Sequence, residues 1–129
     1  MKRTVMIVAL ILLAVVVMAC SKSNEIKKKA GDLDVSIVMD KNPPVTGSNE
    51  VTIRIADPSG KPVTGARVKY SYSMPAMAGM PAMDYSANAV PQGNAYRATV
   101  NYSMPGSWNN ELTIVTDQTR SVRFTIDVK

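Results

Sequence analysis

Residues 66–73 read Ala66-Arg67-Val68-Lys69-Tyr70-Ser71-Tyr72-Ser73. Apolar and polar side chains alternate, the period-two pattern of a strand with one face buried. The pattern returns at 95–103, where Tyr96, Ala98, Val100 and Tyr102 alternate with Arg97, Thr99 and Asn101. Upstream it is carried by Leu33, Val35, Ile37 and Met39, then by Val51, Ile53 and Ile55. Between and beyond the two copies it is carried by Tyr85, Ala87 and Ala89, which are weaker, by Leu112 and Ile114, and by Val122, Phe124, Ile126 and Val128. Asn42-Pro43-Pro44, Asp57-Pro58-Ser59-Gly60, Pro91-Gln92-Gly93-Asn94 and Asp117-Gln118-Thr119 break the runs with turn residues. No helical period competes. Short half-buried strands at this spacing predict an all-β domain over residues 31–129, a seven-stranded antiparallel immunoglobulin-like β-sandwich, with a small barrel as the alternative.

The chain before this domain reads as an address. Met1-Lys2-Arg3-Thr4 is basic, and Val5 to Met18 carries no charged or polar group. The run is shorter than the ~20 residues of a comfortable membrane span and fits the apolar region of a secretory signal peptide. It ends at Val17-Met18-Ala19-Cys20, which resembles the bacterial lipobox. That resemblance implies a signal peptide over 1–19, cleavage before Cys20, and lipidation of Cys20 as the membrane anchor. The alternative is an uncleaved N-terminal anchor with an incidental cysteine. Residues 20–30, with Lys22, Lys27, Lys28 and Lys29 against Glu25, read as a solvated, lipidated tether. The expected location is therefore the cell envelope, facing the periplasm or the exterior. Ser21 rather than Asp after the cysteine favours the outer membrane where a cell has one.

Charge first suggests a nucleic-acid partner and then withdraws it. The chain carries 15 Lys or Arg against 10 Asp or Glu, a formal net charge of +5. Residues 31–129, however, hold nine basic groups (Lys41, Arg54, Lys61, Arg67, Lys69, Arg97, Arg120, Arg123, Lys129) and nine acidic ones. The excess belongs to the leader and the tether, so no nucleic-acid partner is expected. With no His and one Cys, the chain cannot build a His-dependent triad, a His- or Cys-clustered zinc site or a disulfide framework. No Gly-rich phosphate loop is present either, and the expectation is a protein that is not an enzyme.

What stands out is sulfur: nine Met against one Phe and one Trp. Four Met fall in Met74-Pro75-Ala76-Met77-Ala78-Gly79-Met80-Pro81-Ala82-Met83, a doubled MPAM about Ala-Gly. On a strand a spacing of three alternates faces. Pro75, Gly79 and Pro81 oppose a helix. In polyproline II all four would line one edge ~9 Å apart, so convergence needs a bend, easiest at Gly79. Tyr72-Ser73-Met74-Pro75 recurs as Tyr102-Ser103-Met104-Pro105. If 66–73, 84–90 and 95–103 are consecutive antiparallel strands, both copies end at one pole, where Met104 approaches the Met74–Met83 loop with Trp108 close by. Neutral thioethers favour Cu(I) over hard cations. Met74, Met77, Met80, Met83 and Met104 are therefore candidate metal ligands, with Trp108 as a site cover through a cation–π contact. Met is also a gap filler and an adaptable contact residue, so packing of the open end and a protein-docking patch stand beside the metal reading.

With these residues in view, the chain resembles the YtkA-like/FixH-like family of envelope proteins. The likeness spans about residues 32–128. It rests on Asp57-Pro58-Ser59-Gly60-Lys61-Pro62-Val63, then Met74-Pro75-Ala76-Met77, Gly93-Asn94-Ala95-Tyr96, and Met104-Pro105-Gly106-Ser107-Trp108. It implies an immunoglobulin-like, membrane-anchored domain. FixH-like members are associated with copper supply to, and assembly of, haem–copper oxidases; they carry a transmembrane helix where this chain has a lipobox. The function expected is an envelope lipoprotein binding Cu(I) for carriage or buffering, with an envelope copper-handling or oxidase-assembly protein as partner. The alternative is a metal-free interaction module presenting a Met-rich patch.

Overall fold

A computed structural model describes residues 25–129. The signal peptide over 1–19, the lipidation at Cys20 and the first part of the tether lie outside the described residues. Eight strands follow one another: β1 (Glu25–Ala30), β2 (Leu33–Met39), β3 (Gly47–Ala56), β4 (Arg67–Met74), β5 (Met83–Gln92), β6 (Ala95–Tyr102), β7 (Gly106–Val115) and β8 (Thr119–Val128). All pair antiparallel in one sheet of order β1-β2-β3-β6-β5-β4-β7-β8. Among the described residues there is no helix, and so none long and apolar enough to cross a membrane.

One expectation is corrected. The sheet has eight strands rather than seven, because residues 25–30, read as tether, form β1 and pair with β2 from Glu25↔Val38 to Ala30↔Leu33. Their lysines hid the strand. β1 is an edge strand, and lysines on an edge discourage pairing with another chain, so the charge that reads as solvated linker is compatible with a ladder. The sheet is also nearly closed and barrel-like, in the direction of the small-barrel alternative. β5 makes the join: Met83–Ala89 pairs with β4, and Val90–Gln92 pairs with β6. The change of partner falls at Val90-Pro91, where proline has no N–H to give to a ladder. On the far side β1 and β8 approach each other. There Arg120 Nε donates to Asp32 at 2.9 Å, and its side chain packs over Gly31.

The core is what the alternation dictates. Val35, Ile37, Val51, Ile53, Val68, Tyr70, Tyr96, Val100, Tyr102, Leu112 and Ile114 are all at most 2% exposed. Burial of this apolar set, at ~25 cal/mol per Å², is the main force holding the sheet closed. Tyr side chains enter it because their hydroxyls find partners. Tyr96 donates to Val63 O at 2.8 Å and accepts from Ala66 N at 3.0 Å, pinning the β3–β4 connection. No buried side-chain nitrogen or oxygen among the described residues lacks a hydrogen-bond partner.

Candidate functional site

The Met-rich stretch is an extension of the β4–β5 hairpin. The regular ladder ends with Met74 opposite Met83. Beyond it, Met77 and Met80 form an isolated antiparallel bridge. Met77 N donates to Met80 O at 3.0 Å and Met80 N to Met77 O at 2.9 Å. Such doubly bonded partners have Cα atoms ~5.5 Å apart and side chains on one face. Ala78-Gly79 closes the turn, and Gly79 has φ +79. A Cβ there would meet nothing within 4 Å, so the backbone conformation, not space, calls for glycine. The doubled MPAM is thus mirrored about this turn, and the bend expected at Gly79 is present. The four Met form two cross-strand pairs.

The pairs differ in surroundings. Met77 and Met80 are 48% and 38% exposed, whereas Met74 is 3% exposed. Met83 and Met104 are half-buried against the core. Strands β4, β5 and β6 do run consecutively antiparallel, which brings Met104 to the Met end. Ser103 Oγ donates to Met83 Sδ at 3.2 Å. A Cβ on Gly106 would stand 3.2 Å from the Met74 methyl, and Gly106 has φ +127. Glycine therefore serves twice there, for its backbone and for the close approach of Met74.

Trp108 is wholly buried, on β7 rather than in a loop. It lies beneath the Met end as core and does not reach out over it. Its Nε1–H donates to Met104 O at 3.1 Å, tying the β6–β7 turn to the core. Around it lie Tyr102 at 5.3 Å, Tyr72 at 6.0 Å and Tyr85 at 6.1 Å between ring centroids. Tyr72 also meets Tyr102 edge-on at 5.3 Å, so the two copies of Tyr-Ser-Met-Pro touch through their first residues.

Beneath the aromatic layer is a buried polar knot that the alternation alone did not reveal. Asn110 is 2% exposed. Its Oδ1 accepts from Tyr70 at 2.9 Å and from Tyr102 at 2.8 Å, and its Nδ2 donates to Trp108 O at 2.8 Å. Burial raises the Tyr70 phenol well above its ordinary range and pushes Tyr102 up to about 12. Both hydroxyls stay protonated and serve as donors. The available signal was an Asn at an inward position of a strand, Asn110 being in phase with Trp108 and Leu112.

Among the described residues no three or more His, Cys, Asp or Glu side chains gather to hold a metal ion. Away from the Met end, Asp57 and Asp117 have lowered pKa values, held down first by the Ser59 and Thr116 hydroxyls respectively. Both are turn residues whose hydrogen bonds shape their own loops.

None of the curated proteins matches the chain. Among solved structures it is similar to FetP of uropathogenic E. coli strain F11, crystallised as isolated after recombinant expression in the periplasm of E. coli BL21(DE3). The TM-score is 0.52 at 7% identity, over 79% of this chain and 91% of that one, a likeness of fold. The YtkA-like family profile matches residues 27–113, beginning inside β1 and ending inside β7. With a match over more than half its length, the chain belongs to the YtkA-like family, which points to an envelope-associated domain.

Proposed function

We propose that this is a lipid-anchored envelope domain that binds Cu(I) at its Met end, carrying or buffering copper for an efflux or oxidase-assembly partner. The observation that carries the reading is the pairing of Met77 with Met80 at the hairpin tip, both substantially exposed, above half-buried Met83 and Met104. Two thioethers on one face of a tight turn offer a soft ligand pair with no proton to lose. Met83, which accepts from Ser103 Oγ, and Met104 stand at the same end of the fold and are the further ligands of this reading. Met74 is a ligand only if its methyl leaves Gly106. The anchor is Cys20, acylated after cleavage of residues 1–19. Trp108 shapes the floor of the site.

The test is a Cu(I) titration of the full chain in detergent, under reducing conditions, against a chromophoric Cu(I) chelator. Uptake of about one equivalent, lost when Met77, Met80, Met83 and Met104 are all Leu while the unfolding midpoint holds, supports the ligand assignment. Equal uptake by the Leu variant overturns it. A second reading is favoured by a separate observation: Met77, Met80 and Tyr85 are the large apolar side chains exposed at this end. A metal-free contact surface predicts no Cu(I) uptake by either protein.

A further inference from the structure

We propose that the Met end is the membrane-facing end of the domain, with the uncharged Met77–Met80 tip resting in the headgroup region of the bilayer that holds the anchor. The proposal goes beyond copper binding and is independent of it, but it rests on lipidation of Cys20. Strand direction places the start of β1 at the Met end. Ile26 shares a cleft with Met39, Pro43, Pro44, Ile126 and Asp127. The end of β8 pairs with the start of β7 through Val128↔Gly106. Gly106 in turn packs against Met74. The tether therefore leaves the domain beside the Met hairpin and not beside the opposite turns.

Reach then decides orientation. Cys20 to Glu25 is five residue steps, which span at most ~18 Å fully extended. A strand of ten residues such as β8 spans ~33 Å. The turn at Asp117-Gln118 is thus about a strand length away, and so short a tether cannot present that end to the bilayer while leaving the Met end in water. Surface chemistry agrees. Residues 74–83 and 103–105 contain no charged group, and residues 75–82 are all exposed. The absence of charge is confined to the hairpin tip and the β6–β7 turn: the β2–β3 turn at the same end carries Asp40 and Lys41, with Lys129 bonded beside it, and the opposite turns carry Asp32, Asp57, Lys61 and Asp117. Exposed Met, Ala and Pro without charge suit the headgroup–acyl boundary.

The experiment uses the full, lipidated chain in phosphatidylcholine/phosphatidylglycerol vesicles, with a nitroxide at Ala78→Cys or, at the far end, Gln118→Cys. Lipidated Cys20 does not react with the label, and mass spectrometry reports its state. The expected result is an oxygen-to-nickel-chelate accessibility ratio several-fold higher at 78 than at 118. Equal, water-like ratios with Cys20 lipidated overturn the orientation alone. An unmodified Cys20 overturns the anchor and the orientation with it. A label at 78 that is aqueous in these vesicles but shielded in native membranes assigns the tip to a protein partner and also overturns the proposal. Unchanged unfolding midpoints of both labelled variants confirm that accessibility is read from a folded domain.

Discussion

At the base of the methionine hairpin Met74 is 3% exposed with its methyl against Gly106, whereas at the tip Met77 is 48% exposed above a two-residue turn. The two side chains are chemically identical and stand in the same repeated MPAM. Position in the hairpin separates them. Met74 faces the barrel interior at the last rung of the ladder, and Met77 lies past it, where Pro75 has interrupted the strand. A soft sulfur at the base fills space. A soft sulfur at the tip is free to meet something else. Residue count alone would weight them equally; the contact environment leaves one packed and the other exposed.

The sharpest way to break this division is to remove its floor. Trp108→Ala should lower the unfolding free energy by about 3–5 kcal/mol in a denaturant titration, since a fully buried indole leaves a cavity among three tyrosines. A loss near zero would mean that the base is not core. Met74→Ala should cost about 2–5 kcal/mol by the same measurement, less than Trp108→Ala because a smaller volume is lost. Asn110→Ala should cost about 1–3 kcal/mol, because the Tyr70 and Tyr102 hydroxyls lose their shared acceptor inside the barrel.

That knot also sets a pH dependence. Folding favours the neutral phenol of Tyr102, whose pKa rises from 10.0 to about 12. The unfolded chain ionises first, so stability is fully present below pH 10 and falls as pH climbs from 10 towards 12. Denaturant midpoints measured across this window should decline, and Tyr102→Phe should flatten the decline. An unchanged slope in that variant would remove Tyr102 from the account. The smallest effect is expected at the tip. Met77→Ala with Met80→Ala should change stability by no more than about 0.5 kcal/mol. A larger loss would erase the contrast between tip and base.

Much of this was legible in the residue order. Alternation marked β2 to β8, and the buried face followed from it in every one of them except β5, where no residue is buried and Tyr85 is exposed. The doubled Tyr-Ser-Met-Pro correctly brought Met104 to the Met74–Met83 end, because strand parity needs only the number of strands between the copies. β1 was not legible, since Lys27-Lys28-Lys29 looks the same in a solvated linker and on a lysine-guarded edge. Nor was closure of the sheet, which depends on β5 changing partners at Val90-Pro91 and on Arg120 reaching Asp32. Trp108 shows the same limit: its identity suggested a cover, and its place on an inward position of β7 made it floor.

Sequence by itself determined that the domain is all-β, that residues 31–129 carry nine charges of each sign, and that its distinctive chemistry is thioether sulfur. These follow from composition and from period two, which are local properties of the chain. Only the tertiary structure decided which sulfurs are packed and which are available, and at which end of the barrel the tether leaves. Both depend on strand register and strand order, set by contacts between residues far apart in the chain that no local pattern encodes.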